Sequence, residues 1–197
     1  YSNEFFDCLP VRQFYKKKIW YEKLIDYNEL KDVFFFKDKK VTAKKTLDYL
    51  QKYNETGIAE ISFQRESLFN NLCKHIFKNK GMIILIDYGY ESPVKNFTLQ
   101  SVSSHKKTHI FDNIGLQDIT SLVNFGELIN IANQFNLNVV SYCNQRDFLI
   151  TNGIQERKEI LKKNLPKTKR EIIEQQFHRL TDKKSMGKDF KFFIVSS

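Results

Sequence analysis

Two carboxylates three residues apart open the chain, in Asn3-Glu4-Phe5-Phe6-Asp7-Cys8-Leu9-Pro10-Val11. Where a chain leaves a strand, such a pair can hold a cation or accept a proton, and in open α/β sheets the loops at the carboxyl ends of strands form the ligand crevice. A solvated turn with a capping Asp fits the same spacing. Asp87-Tyr88-Gly89-Tyr90 is a second candidate: either a crevice carboxylate beside a glycine turn, or a strand terminator with two amphipathic rings. Asp118 and Thr120, ahead of a capped helix, are ligands or turn residues. His105 and His109 are four apart, but Lys106-Lys107-Thr108 between them gives no helical stripe and no metalloprotease glutamate, so no metal is expected. No dinucleotide or phosphate glycine loop and no Gly-x-Ser-x-Gly elbow occurs. On the residues alone the chain is part of an α/β protein with a carboxylate-lined loop.

The elements that must position these residues follow from periodicity. Segment 11–36 mixes Val11, Phe14, Ile19, Trp20, Leu24 and 33–36 with polar breaks, which predicts a β-meander. A short helix is expected over 43–53, with Leu47 and Leu50 on one side. A firmer helix runs over 63–78: Ser62 can cap it, Leu68, Phe69, Leu72, Ile76 and Phe77 form its stripe, and Gly81 closes it. The apolar run 82–86 ending at Asp87 reads as a strand buried on both faces, as in a parallel sheet. Alternation predicts an exposed or hairpin strand over 97–102. Asn124 and Glu127, at capping-box spacing, open a helix with Leu128, Ile131, Ala132 and Phe135. A strand over 137–142, one or two helices around Gly153 and a helix announced by Thr168 and Glu171 follow. That last helix would bury Ile172, Ile173, Phe177 and Leu180, and 190–195 would be a terminal strand. Helix–strand alternation from Ser62 onward predicts an α/β sheet.

Composition narrows the class. With 197 residues, 41% hydrophobic and 28% charged, the chain suits one domain or a domain with an annex. Its 32 Lys+Arg against 23 Asp+Glu leave +9, which raises nucleic acid as a partner. The lysines are scattered in short runs without an RNA-binding aromatic signature, so nucleic acid is the weaker reading. Three widely spaced cysteines, Cys8, Cys73 and Cys143, make no disulfide framework and suit an intracellular, reducing compartment. No apolar run approaches bilayer-spanning length, so no membrane insertion is expected. No signal-peptide pattern opens the chain. It starts on Tyr1, directly before a dense motif, and is expected to be the middle of a protein.

Several segments, in order, resemble the MidA-like family of S-adenosylmethionine-dependent methyltransferases. They are 3–7 with Leu9-Pro10-Val11 and Gln13-Phe14, Ile86-Asp87-Tyr88-Gly89, Thr98-Leu99-Gln100-Ser101-Val102 with His105, and Asp118-Ile119-Thr120 with Val123 and Phe125. Gln145 with Phe148-Leu149, Gly153-Ile154, Arg179-Leu180, Met186-Gly187 and Phe190-Lys191 complete the series. Tyr90 stands where a histidine is usual, Asn124 where an aspartate is, and Arg146-Asp147 replaces Gly-Glu.

The resemblance implies the carboxyl-terminal part of a Rossmann-like class I methyltransferase sheet spanning 1–197. Within it, 11–60 would be an inserted β-rich substrate region and 61–197 the sheet-and-helix part. The Asn3-Glu4 loop would follow the fourth strand of that sheet, with 83–86 as the fifth. The glycine-rich cofactor loop would lie upstream of Tyr1. The activity implied is methyl transfer from S-adenosylmethionine to a protein arginine, by family analogy on a respiratory complex I subunit, in a bacterial cytoplasm or mitochondrial matrix. Glu4 and Asp7 would be catalytic, clamping the guanidinium, with Asn3 near the cofactor. Asp87, Tyr88, His105, Asp118 and Thr120 would line the protein-substrate groove. The alternative is a non-catalytic interaction or assembly module from a truncated or split gene.

Overall fold

The computed structural model describes residues 1–104 and 106–197. In chain order the elements begin with strands β1 (Ser2–Asn3), β2 (Arg12–Lys16), β3 (Trp20–Asn28) and β4 (Val33–Lys40). Helix α1 (Lys44–Leu50) runs into a single tight turn at Gln51–Tyr53, then β5 (Ile58–Ile61), α2 (Phe63–Asn79) and β6 (Met82–Tyr90). Strands β7 (Gln100–Ser103), β8 (Lys106–Thr108), β9 (Asp118–Thr120) and β10 (Val123–Asn124) lead to α3 (Phe125–Gln134) and β11 (Asn138–Asn144). The chain closes with α4 (Gln145–Thr151), α5 (Ile154–Lys162), α6 (Lys167–Thr181), α7 (Met186–Asp189) and β12 (Phe190–Ser196). This is the expected α/β class.

Contacts divide the chain into two units, one of residues 1–4, 70–89 and 128–197, the other of 5–69 and 90–127. In the first, the strands are ordered β1-β6-β12-β11. β1 runs parallel to β6, while β12 is antiparallel to both β6 and β11. The sheet is therefore mixed, where the apolar run at 82–86 had suggested a parallel one. Its burial alternates accordingly: Ile83 and Leu85 are buried, Ile84 and Ile86 only partly. The strand also does not stop at Asp87. It runs on beside β12 as far as Tyr88, with Lys191 opposite Asp87 and Phe190 opposite Tyr88.

In the second unit β2, β3 and β4 form the expected meander, and β5 joins β2 to make the antiparallel order β4-β3-β2-β5. Phe14, Trp20, Leu50, Tyr53, Ala59 and Ile61 are its core; burying a side chain the size of Phe14, Leu50 or Ile61 contributes roughly 1.5–3 kcal/mol. A smaller antiparallel sheet, β8-β7-β9, sits in the same unit.

The capping expectations have mixed outcomes. Ser62 Oγ accepts from the Arg65 N–H at 3.3 Å, and Asn124 Oδ1 from the Glu127 N–H at 3.2 Å. Glu127 does not close the capping box, because its carboxylate reaches Lys52 at 2.7 Å. Thr168 does not cap α6, which starts at Lys167 behind Pro166, a residue that brings the φ a helix start needs. Ile172 faces solvent, while Ile173, Phe177 and Leu180 are half-buried. Around Gly153 there are two helices, and the turn between them uses the positive φ of that glycine, +84°.

The cysteines are all free: Cys8 exposed, Cys143 half-buried and Cys73 buried on α2. Burial pushes the Cys73 thiol up to about 11. Iodoacetamide at pH 8 should therefore label Cys8 and leave Cys73 unmodified until the chain is unfolded, as read by peptide mass spectrometry. Labelling of Cys73 at the rate of Cys8 would show that α2 is not packed as described.

Candidate functional site

Every sheet has an end where its crevice can form, and in the first unit that end is set by β1 and β6. Asn3 pairs with Ile86, and the Glu4 N–H then donates to the Ile86 carbonyl at 3.0 Å. At Glu4 the backbone turns left-handed, φ +48°, a conformation that costs a side-chain-bearing residue about 1–2 kcal/mol. The chain therefore leaves the sheet abruptly, with both Asn3 and Glu4 exposed. Asn3 Nδ2 donates to Glu4 Oε1 at 3.2 Å, tying the two exposed side chains together.

Asp87 follows Ile86 on the neighbouring strand, 2% exposed, and accepts from the Tyr88 N–H at 2.9 Å. The Tyr88 ring lies 3.8 Å from that of Phe190. Opposite Asp87, Lys191 donates to the Lys188 carbonyl at 2.6 Å, and burial draws its pKa down. Asn3, Glu4, Asp87 and Tyr88 thus gather at one end of one sheet.

In the second unit the organising residue is Arg65, 5% exposed, in the first turn of α2. Its Nε donates to the Phe6 carbonyl and its Nη2 to the carbonyls of Asp7 (2.8 Å), Leu9 (3.3 Å) and Ser121 (3.1 Å). Nη2 also meets Ser121 Oγ at 2.7 Å, and Nη1 the Leu122 carbonyl at 3.0 Å. One planar guanidinium, with five donors in a fixed fork, therefore ties segment 6–9 to 121–122. The Ser121 N–H adds a direct bond to the Asp7 carbonyl at 2.9 Å.

A second buried charge supports this knot. Glu60 accepts from Gln13 Nε2 at 2.8 Å, from Thr98 Oγ1, and from the Thr98 and Leu99 N–H groups at 3.1 and 3.3 Å. Thr98 Oγ1 in turn accepts from the Leu122 N–H at 2.9 Å. Tyr90, in the same unit, is pushed up to about 12, first by burial and then by the charge of Glu60. A recess of about 330 Å³ opens beside this network, lined among others by Gln13, Lys23, Phe36, Phe97 and His109.

The other candidates are placed as follows. Asp7 is buried. Asp118 and Thr120 stand on strand β9, exposed and half-buried respectively, and not in a turn. His105 lies outside the described residues.

Residues 1–143 match the family described as "Putative S-adenosyl-L-methionine-dependent methyltransferase". The chain belongs to this MidA-like family. The mitochondrial protein arginine methyltransferase NDUFAF7 of Danio rerio is 28% identical to it over 98% of this chain and 46% of that protein. Its Homo sapiens counterpart is 26% identical over 98% and 44%. The chain thus spans about half the length of the curated relatives it matches. A Burkholderia thailandensis protein crystallised with S-adenosyl-homocysteine shares the fold, with a TM-score of 0.83 at 22% identity over 99% of this chain and 52% of that one.

Within the family motif, the residues that shape the 6–9 segment were not among the candidates. Arg65 carried a signal, because it stands four residues before Phe69 and eight before Cys73, both fully buried. A charge on the apolar stripe of a helix must find partners inside. Glu60 carried a similar one, buried between Ala59 and Ile61 in a strand whose last three residues are all buried.

Proposed function

We propose that the protein carrying this chain is an S-adenosylmethionine-dependent methyltransferase acting on arginine in a protein partner, by analogy with its relatives a respiratory complex I subunit in the mitochondrial matrix or the corresponding bacterial protein. The observation that carries this reading is the family match over 1–143, together with the exposed Asn3-Glu4 pair where β1 and β6 end. That strand end is where α/β sheets hold their ligands. Asn3 is the residue of this chain we assign to the cofactor, which when bound supplies a sulfonium methyl group.

Glu4 and Asp7 are assigned to the guanidinium. Its pKa is above about 12, so a nitrogen must be aligned and its proton accepted as the methyl arrives. Glu4 suits the first contact because it is exposed and steered by Asn3. Asp7 is held by the bonds that Arg65 and Ser121 make to its carbonyl. Asp87, Tyr88, Asp118 and Thr120 are assigned to the protein substrate, as is His105.

The test is Glu4→Gln in the full-length enzyme. A charge-assisted bond to a guanidinium is worth roughly 1.5–3 kcal/mol, so turnover should fall by more than about tenfold. S-adenosyl-homocysteine affinity, measured by calorimetry, should stay unchanged. Wild-type turnover in the variant would remove Glu4 from the clamp.

A further inference from the structure

Helices α5 and α6 form a pair with almost no core of its own. No residue of α5 is buried, and Thr181 is the one buried residue of α6. Their facing stripes nonetheless line a groove of about 480 Å³, together with Leu149 of α4 and Asn152 and Gly153 of the turn after it. On α5 the wall is Ile154, Arg157, Lys158 and Leu161; on α6 it is Ile173, Gln176, Phe177 and Leu180. Both walls repeat at i, i+3, i+4 and i+7, one straight helical face about 10 Å long, or two turns. Leu161 is 44% exposed, and Ile160 and Ile172 stay in solvent nearby.

The charge of this helix pair is lopsided. Residues 154–181 hold eight Lys/Arg against four Asp/Glu, so this stretch supplies +4 of the chain's +9. Lys158 is engaged, reaching Glu159 at 3.2 Å and Glu174 at 3.4 Å while lying 4.4 Å over the Phe177 ring, and Lys162 also pairs with Glu174. Arg157, on the groove wall, makes no ion pair among the described residues.

We infer that this groove receives an amphipathic helix of a partner protein, with apolar residues on one face and acidic residues flanking it. Two apolar stripes, each two turns long, offer the i, i+3, i+4, i+7 spacing that the ridge of a third helix can meet. The surplus of cations selects acidic flanks, which favour encounter and register. The inference does not depend on methyl transfer, so it stands or falls apart from the function proposed above.

The experiment is fluorescence anisotropy with the full chain and a fluorescein-labelled peptide of about 15 residues. The peptide carries Leu at i, i+3, i+4, i+7, i+8 and i+11 and Glu elsewhere. A leucine-scrambled version and one with Lys for Glu should each bind at least about tenfold more weakly. Leu161→Asp and Arg157→Glu, both at exposed positions and expected to melt like the parent, should each weaken binding about tenfold, and salt should weaken it further. Equal binding of the scrambled peptide, or unchanged affinity in both variants, would overturn the inference. So would dodecanoate binding that the two variants abolish while the ordered peptide fails to bind, since the groove would then hold an acyl chain.

Discussion

Replacing Arg65 with alanine should lower the melting temperature by roughly 10–15 °C. The guanidinium makes six bonds to backbone carbonyls and to Ser121 Oγ inside the second unit. Removing it strands the carbonyls of Phe6, Asp7, Leu9, Ser121 and Leu122 with fewer donors. A buried acceptor deprived of its donor costs at least about 1 kcal/mol, so the five carbonyls together cost about 5 kcal/mol, and each kcal/mol shifts the melting point of a chain this size by about 2–4 °C. Arg65→Lys should rescue little, because one ammonium cannot span carbonyls that a planar fork reaches from two sides. Under the methyl-transfer reading proposed above, the same variants should also reduce turnover, since segment 6–9 would no longer be pinned to 121–122. A thermal melt within about 2 °C of the parent for Arg65→Ala would show that the knot contributes little.

Gly187→Ala should be nearly as severe, for a steric reason. A methyl group there would lie 2.5 Å from the Thr181 carbonyl oxygen, 2.6 Å from its carbon and 2.8 Å from the Asp182 oxygen. All three are backbone atoms, and neither residue can step aside easily. The Thr181 carbonyl is held by Arg146 Nη1 at 2.8 Å, and the Gly187 N–H closes the end of α6 on the Asp182 carbonyl at 3.0 Å. Overpacking typically costs 1–3 kcal/mol, and against fixed backbone the upper end of about 3 applies. The expected fall in melting temperature is roughly 6–12 °C. Gly115→Ala is the control: space is open there and only the positive φ of +84° is strained, so about 1 kcal/mol is expected. If the two variants melt together, close approach at Gly187 is not what the fold requires.

The Met186-Gly187 pair shows how far a motif can be read without coordinates. Its place in an ordered series of segments pointed to the family, but the need for glycine arises from Thr181 and Asp182, which come round only when α6 ends and α7 begins. The same division runs through the rest of the chain. Helix α2 was legible because Leu68, Phe69, Leu72 and Ile76 repeat with its period and Ser62 caps it, both local facts. The meander and β12 were legible for the same reason. Segment 82–90 was legible only in part. Its apolar run marks a strand, but its mixed pairing depends on β12, a hundred residues away in sequence.

The sequence by itself determined the α/β class, the main helices, the carboxylate-bearing opening loop and the family, because each rests on periodicity or on residue order. Tertiary structure alone decided that Asn3 and Glu4 share a strand end with Asp87, that Arg65 ties 6–9 to 121–122, and that α5 and α6 leave a groove between them. These are pairings of residues far apart in the chain. Their energies come from burying a charge among carbonyls or aligning two helical ridges, and no local pattern encodes which distant partners will meet.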